Sequence, residues 1–153
     1  MMNTLHGANI MNEEDQGIAW NDSYRFGNEQ VDLQHKKIFE LASGLVKACL
    51  EGKDTAKLRL TLSFLVNYSV QHFLFEEELQ IKYNYPEYDR HKQLHEDFKK
   101  TVGDLVEKFN KNGSSTELSS DVNTIVIGWI VNHIQQEDIK IAEYIRNTSG
   151  QKI

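Results

Sequence analysis

Apolar side chains recur along most of this chain at intervals of three and four residues rather than two, the rhythm of helices that bury one face. A first stripe runs His35, Ile38, Phe39, Ala42, Leu45, Val46 and Cys49, with Asp32 as its expected N-cap and Gly52 in "EGKD" as its stop. Asp54 can cap a second, which carries Leu58, Leu62, Leu65, Tyr68, His72, Glu76, Leu79 and Tyr83. "NYPEYD" ends that helix and starts another, because Pro86 suits a first helical position and disfavours helix at Tyr85. The third stripe is His91, Leu94, His95, Phe98, Val102, Leu105 and Phe109, closed by "NKNGSS". The fourth is Val122, Ile125, Val126, Trp129, His133, Ile134, Ile141 and Ile145.

Four amphipathic helices of roughly 20 to 30 residues joined by short turns predict an all-α, up-down-up-down four-helix bundle. Ahead of it, residues 1 to about 30 lack periodicity and read as an arm whose anchors are Trp20, Tyr24 and Phe26. The expected division is a flexible N-terminal arm over 1–17 and a single bundle domain over 18–153.

Charge and composition narrow the partners. The net charge of -6 offers no basic face to phosphates, which argues against nucleic acid and anionic membrane as partners. Runs such as "TIVIGWIV" are too short to span a bilayer, and the first residues lack a basic-then-apolar leader pattern. The single Cys49 cannot pair within the chain and lies on an apolar stripe, which fits inert packing in a reducing compartment. A soluble, cytoplasmic protein is expected.

The chemistry lies in what interrupts the apolar stripes. His35, His72, Glu76, His91, His95 and His133 all fall on faces that should point into the core, where unpartnered imidazoles and carboxylates cost a few kcal/mol each. A shared metal would compensate them together. His72 with Glu76, and His91 with His95, are i,i+4 pairs that project from one helix face. His133 with Asp138 is an i,i+5 pair, about 140° apart on an ideal helix, so on spacing alone Glu137 is the better candidate. Imidazole with a few carboxylates and no thiolate suits iron, zinc, copper or manganese, and five histidines with two carboxylates are enough for two ions. The Glu-x-x-His spacing of the carboxylate-rich di-iron bundles is absent.

In this order and at these spacings the residues resemble the hemerythrin family, in its bacterial single-domain form. The family pattern is a His in the first helix, then H-x-x-x-E, H-x-x-x-H and H-x-x-x-x-D. His35, "HFLFE", "HKQLH" and "HIQQED" meet it, flanked by Trp20, "VDLQHKKIF", "YNYPEYDRH" and "GWIVNHI" over residues 18 to 147. The resemblance implies a non-haem di-iron centre with two iron ions and an oxo or hydroxo bridge. His91, His95 and His133 would hold one iron and His35 and His72 the other, with Glu76 and Asp138 bridging. Dioxygen would bind at the vacancy on the second iron, in a pocket walled by Phe39, Phe75, Trp129 and Ile130. The expected function is reversible dioxygen binding for carriage, storage or delivery, without catalysis. Sensing of dioxygen, nitric oxide or redox state is the alternative, and a di-iron oxidase or peroxidase a further one. His6, Glu77 and Glu78 are expected to be solvated, and Trp20 to pin the arm to the bundle.

Overall fold

Each helix begins where a side chain can satisfy its first backbone N–H groups. The computed structural model describes residues 20–52, 54–113 and 115–150; the flexible arm expected over 1–17, and His6 within it, lie outside them. Helix α1 spans Glu29–Leu50, and its cap is Asn28, whose side chain accepts from Val31 N–H at 3.0 Å. Asp32, the expected cap, sits one turn inside and is buried. Its carboxylate accepts instead from the N–H groups of Phe26, at 2.7 Å, and Gly27, at 3.2 Å. Asn28 pre-empts the cap, and Asp32 is left to tie the incoming chain down. Gly27 turns that chain with φ +102°, and a side chain there would press on the Arg146 guanidinium at 3.3 Å.

Helix α2 spans Thr55–Lys82 and is capped as expected by Asp54, which accepts from Lys57 N–H at 2.9 Å. The chain leaves it through Asn84 in a left-handed conformation, φ 54°. Helix α3, Tyr88–Asn112, starts two residues after Pro86, so the proline lies in the turn and not at the first helical position. Its end is Gly113, at φ +70°.

The fourth rod is α4 (Thr116–Asp121), a π-helical segment Val122–Ile127, α5 (Gly128–His133), a second π-helical segment Ile134–Asp138, and α6 (Ile139–Ser149). Each junction keeps right-handed helical dihedrals, so the rod is continuous. Helix α1 packs on α2, α2 on α3, and the fourth rod on both α1 and α3. Short turns between successive rods make the neighbours antiparallel, and the ring closes as an up-down-up-down bundle.

The core has two apolar layers. The larger holds Phe39, Leu45, Leu62, Leu65, Phe98, Phe109 and Val126 among others; the smaller holds Phe26, Val31, Tyr85, Ile141, Ala142 and Ile145. Each fully buried large side chain contributes about 1.5–3 kcal/mol. The arm is anchored as expected: Trp20 meets the rings of Tyr24 at 5.5 Å and Phe39 at 5.6 Å, while Tyr24 and Phe26 are each 1% exposed. No helix among the described residues is long and apolar enough to cross a membrane.

Candidate metal centre

Between the two apolar layers lies a polar one. On α1 it is His35, between Val31 and Ile38; on α2 His72 and Glu76; on α3 His91 and His95; on the fourth rod His133 and Asp138. All seven are at most 4% exposed. The i,i+4 pairs on α2 and α3 meet as helical spacing requires. The i,i+5 pair meets because the rod turns π-helical over Ile134–Asp138, where i to i+5 hydrogen bonding winds the chain less per residue and returns Asp138 to the face of His133. Their Nε2 and Oδ1 atoms stand 2.9 Å apart. Glu137, the rival on spacing alone, points outward and accepts from both terminal nitrogens of Arg90, at 2.6 and 3.0 Å.

The donors fall into two groups. Glu76, His91, His95, His133 and Asp138 each offer an atom to one point; His35, His72, Glu76 and Asp138 offer theirs to another. The two carboxylates belong to both. Every imidazole presents Nε2 inward. His95 and His91 lie 3.2 and 3.1 Å from His133, nitrogen to nitrogen, and His35 lies 3.0 Å from His72. At 3.0 to 3.2 Å the facing nitrogens are close enough to be held together by one ion.

In this layer Nδ1 of His35 and of His91 are buried without a hydrogen-bond partner among the described residues, and Glu76 Oε2 and both carboxylate oxygens of Asp138 meet only imidazole Nε2 atoms, at 2.9 to 3.2 Å. Carboxylate oxygens cannot be abandoned in a core at ordinary cost, and cations are the compensation this donor set offers. The protonation balance says the same. Burial pushes the Glu76 carboxyl up, but hydrogen bonds from His72, His91 and His95 outweigh it and hold it well below its usual range. Burial and the Glu76 charge likewise push Asp138 up, and His133 and His35 hold it low. Burial opposes charge on His91, yet Asp138 and Glu76 push it to about 10. Without metal the layer recruits protons for the positive charge its carboxylates demand; metal ions would displace them.

The outer nitrogens are oriented too. Nδ1 of His72 is 2.7 Å from Gln34 Oε1, and Nδ1 of His95 is 2.9 Å from Glu77 Oε1. Both partners therefore make the ring N–H the donor, which points the Nε2 lone pair at the site. Glu77 corrects an expectation: it is buried, 6% exposed, while Glu78 is exposed as foreseen. The missed signal was its place four residues after Phe73, on the flank of α2 that α3 covers. Trp129 stacks on His133 at 4.2 Å and Phe73 on His95 at 4.0 Å, which fixes both ring planes.

A cavity of 10 Å³ touches His35 and His72 and reaches His133 and Asp138. Its remaining wall is Ile38, Ser69, Phe73, Trp129, Ile130 and Ile134. Of the residues expected to wall a dioxygen pocket, Trp129 and Ile130 line this cavity and Phe39 and Phe75 lie elsewhere. Phe39 is drawn to the arm, its ring 5.1 Å from Tyr24 and edge-on. Phe75 falls on the opposite flank of the His72–Glu76 stripe from Phe73 and packs against the smaller apolar layer. Ile38, Ser69, Phe73 and Ile134 take their places.

Comparison with known proteins agrees with this geometry. The chain is 30% identical over 129 residues to the bacteriohemerythrin of Stenotrophomonas maltophilia, covering 84% of this chain and 82% of that one. It is 32% identical over 108 residues to the bacteriohemerythrin of Methylococcus capsulatus, covering 71% and 80%. A hemerythrin-like protein of Naegleria gruberi is 32% identical over 127 residues, covering 79% and 87%. Residues 27–145, which hold all seven clustered donors, match the hemerythrin HHE cation binding domain, and the chain belongs to that family.

Proposed function

We propose that this chain binds dioxygen reversibly at a non-haem di-iron centre, in the service of carriage, storage or delivery. The observation that carries the reading is the unequal division of donors. Three histidines and two carboxylates converge on one point, and two histidines with the same two carboxylates on the other. Six-coordinate ions sharing one solvent-derived bridge would be filled on the first side and one donor short on the second. The cavity lies against His35 and His72, the histidines of the short side.

Two ferrous ions would supply the electrons that dioxygen binding takes up. The protein's own part is to hold, orient and keep dry. Gln34 and Glu77 fix the rings of His72 and His95. Ile38, Phe73, Trp129, Ile130 and Ile134 surround the open side with hydrocarbon, which excludes water and slows loss of the bound gas as a reduced product. Apart from the donors themselves and the Trp129 indole, the polar side chain in that wall is Ser69, whose hydroxyl donates to Leu65 C=O at 2.8 Å. No further acid faces the cavity among the described residues, which favours binding over oxidase or peroxidase chemistry.

The test is anaerobic reduction, dioxygen titration by stopped-flow absorbance, then exchange under argon. Iron analysis should give two per chain, with one dioxygen per reduced site and recovery of the reduced spectrum under argon. Prompt irreversible oxidation, with steady consumption of an added reductant, would refute the proposal.

A further inference from the structure

Beside the site cavity lies a second, also of 10 Å³, in the seam between α2 and α3. Its inner end is formed by Ser69 and Phe73, the same two side chains that close the site cavity on that side. Its outer end is formed by Val66, Val70 and Lys99, which are only partly buried. We propose that this α2–α3 seam is the route by which dioxygen reaches the centre, with Ser69 and Phe73 as the partition between an outer and an inner chamber. The proposal deepens the dioxygen-binding reading and rests on it for its ligand.

Three features make the seam a passage for a small apolar gas and not for ions. First, its wall is hydrocarbon: Leu65, Phe98 and Val102 complete it, so a hydrated solute gains no hydrogen bond on the way in. Second, the partition is thin on the α2 side. Ser69 is the smallest side chain in either wall, and its hydroxyl is turned back on Leu65 C=O, leaving no donor aimed at either chamber. Third, the other half of the partition is held in place. Phe73 is stacked on His95 at 4.0 Å and meets Phe98 edge-on at 5.7 Å and Trp129 at 6.0 Å. The narrow point is therefore set by Ser69, with Phe73 as a fixed jamb. At the outer mouth the Lys99 ammonium is drawn aside to Glu96, 2.7 Å away, so its methylenes and not its charge border the opening.

The sequence shows the same asymmetry: on α2 between Leu65 and His72 the one buried position is Ser69, where a larger residue would fill both chambers.

The test uses two filling variants at the mouth, Val66→Phe and Val70→Phe, and one widening variant, Val66→Ala; none of these residues touches the donors. In stopped-flow experiments on the reduced iron protein, each filling variant should slow dioxygen association and dissociation by the same factor, three-fold or more. Val66→Ala should speed both, and the equilibrium constant and the spectrum should not change. A second arm needs no iron: in a Trp20→Phe background, dioxygen quenching of Trp129 emission in the metal-free full chain reports access to the inner chamber. The filling variants should lower that quenching constant and Val66→Ala should raise it. Unchanged quenching in both filling variants overturns the route, whatever the iron protein does. Altered quenching in a protein whose iron form binds no dioxygen keeps the passage and sinks only the functional reading.

Discussion

Removing the metal should cost the protein a large part of its stability, and the size of the loss follows from the buried oxygens. Three carboxylate oxygens, one of Glu76 and two of Asp138, meet only imidazole Nε2 atoms in the core, at 2.9 to 3.2 Å, contacts that a metal ion would replace. Each would cost about 1–3 kcal/mol if left bare. Protonated His91, 2.7 Å from Glu76 and 3.2 Å from Asp138, offsets part of that in the metal-free state, so the low end applies, roughly 3–5 kcal/mol in total. For a domain of this size each kcal/mol moves Tm by about 2–4 °C, which places the metal-free melting point roughly 6–20 °C below that of the iron form. Calorimetry on the two forms at one pH measures it. The metal-free form should also show a pH signature. His91, raised to about 10 when folded, contributes stability that is fully present below its ordinary value of 6.5 and is lost as pH rises through 10. Glu76 and Asp138, both held low, contribute stability present above their ordinary values of 4.5 and 3.8 and lost as pH falls below them. His72, held below its ordinary value of 6.5 by burial and by His35, works the other way and loses stability as pH falls below 6.5, so metal-free Tm should be highest near pH 6.5. Equal melting points with and without metal would show that these side chains are not buried together, and the reasoning would fail.

Other outcomes follow from the same geometry. Asp138→Ala should empty the site, measured as iron per chain, whereas Glu137→Ala should keep both irons and lose only its surface pairs with Arg90 and Lys140, each worth under about 1 kcal/mol at half-exposed positions. Glu77→Ala should leave the site able to bind but weaken metal retention about 10–100-fold in a chelator competition, because His95 loses the partner that orients it; unchanged retention would return Glu77 to the role of a bystander. Gln80 is 0% exposed, with neither end of its amide hydrogen-bonded among the described residues. Gln80→Met should thus raise Tm, by roughly 2–12 °C for about 1–3 kcal/mol of relieved desolvation, and a lowered Tm would mean that ordered water satisfies the amide.

The bundle and six of the seven clustered residues were legible in the sequence because both depend on spacing; Asp138 entered only through the family resemblance. A histidine on an apolar stripe is visible as an interruption, and i,i+4 pairs have only one face to share. What escaped depends on which neighbour covers a helix flank. Phe73 and Phe75 sit on either side of the His72–Glu76 stripe, and only the crossing of α3 and the fourth rod decides that Phe73 walls the cavity. Glu77 lies beside Glu76 in sequence yet is buried by the same crossing, behind His95. Asp32 and Asn28 both qualify as caps by type; the arm's need for an acceptor at Phe26 and Gly27 separates them.

The i,i+5 spacing of His133 and Asp138 looked like a defect of chelation, and the rest of the fourth rod explains why it is not. Its buried positions include Val122, Val126, Ile130, Ile134 and Asp138, each four residues after the last. On a regular α-helix four such steps drift about 160° around the axis, enough to carry Asp138 away from the core that Val122 occupies. The two π-helical segments, Val122–Ile127 and Ile134–Asp138, take up that drift by widening the turn at the first and last of these steps. After Asp138 the rod is α-helical again, and Ile141 and Ile145 follow at steps of three and four into the smaller apolar layer. The loosened winding thus serves two ends at once: it brings Asp138, the second carboxylate common to both clusters, to the other side chains, and it keeps both ends of one long rod packed on the core. A strictly α-helical rod of this sequence could satisfy either the apolar layers or Asp138, but not both.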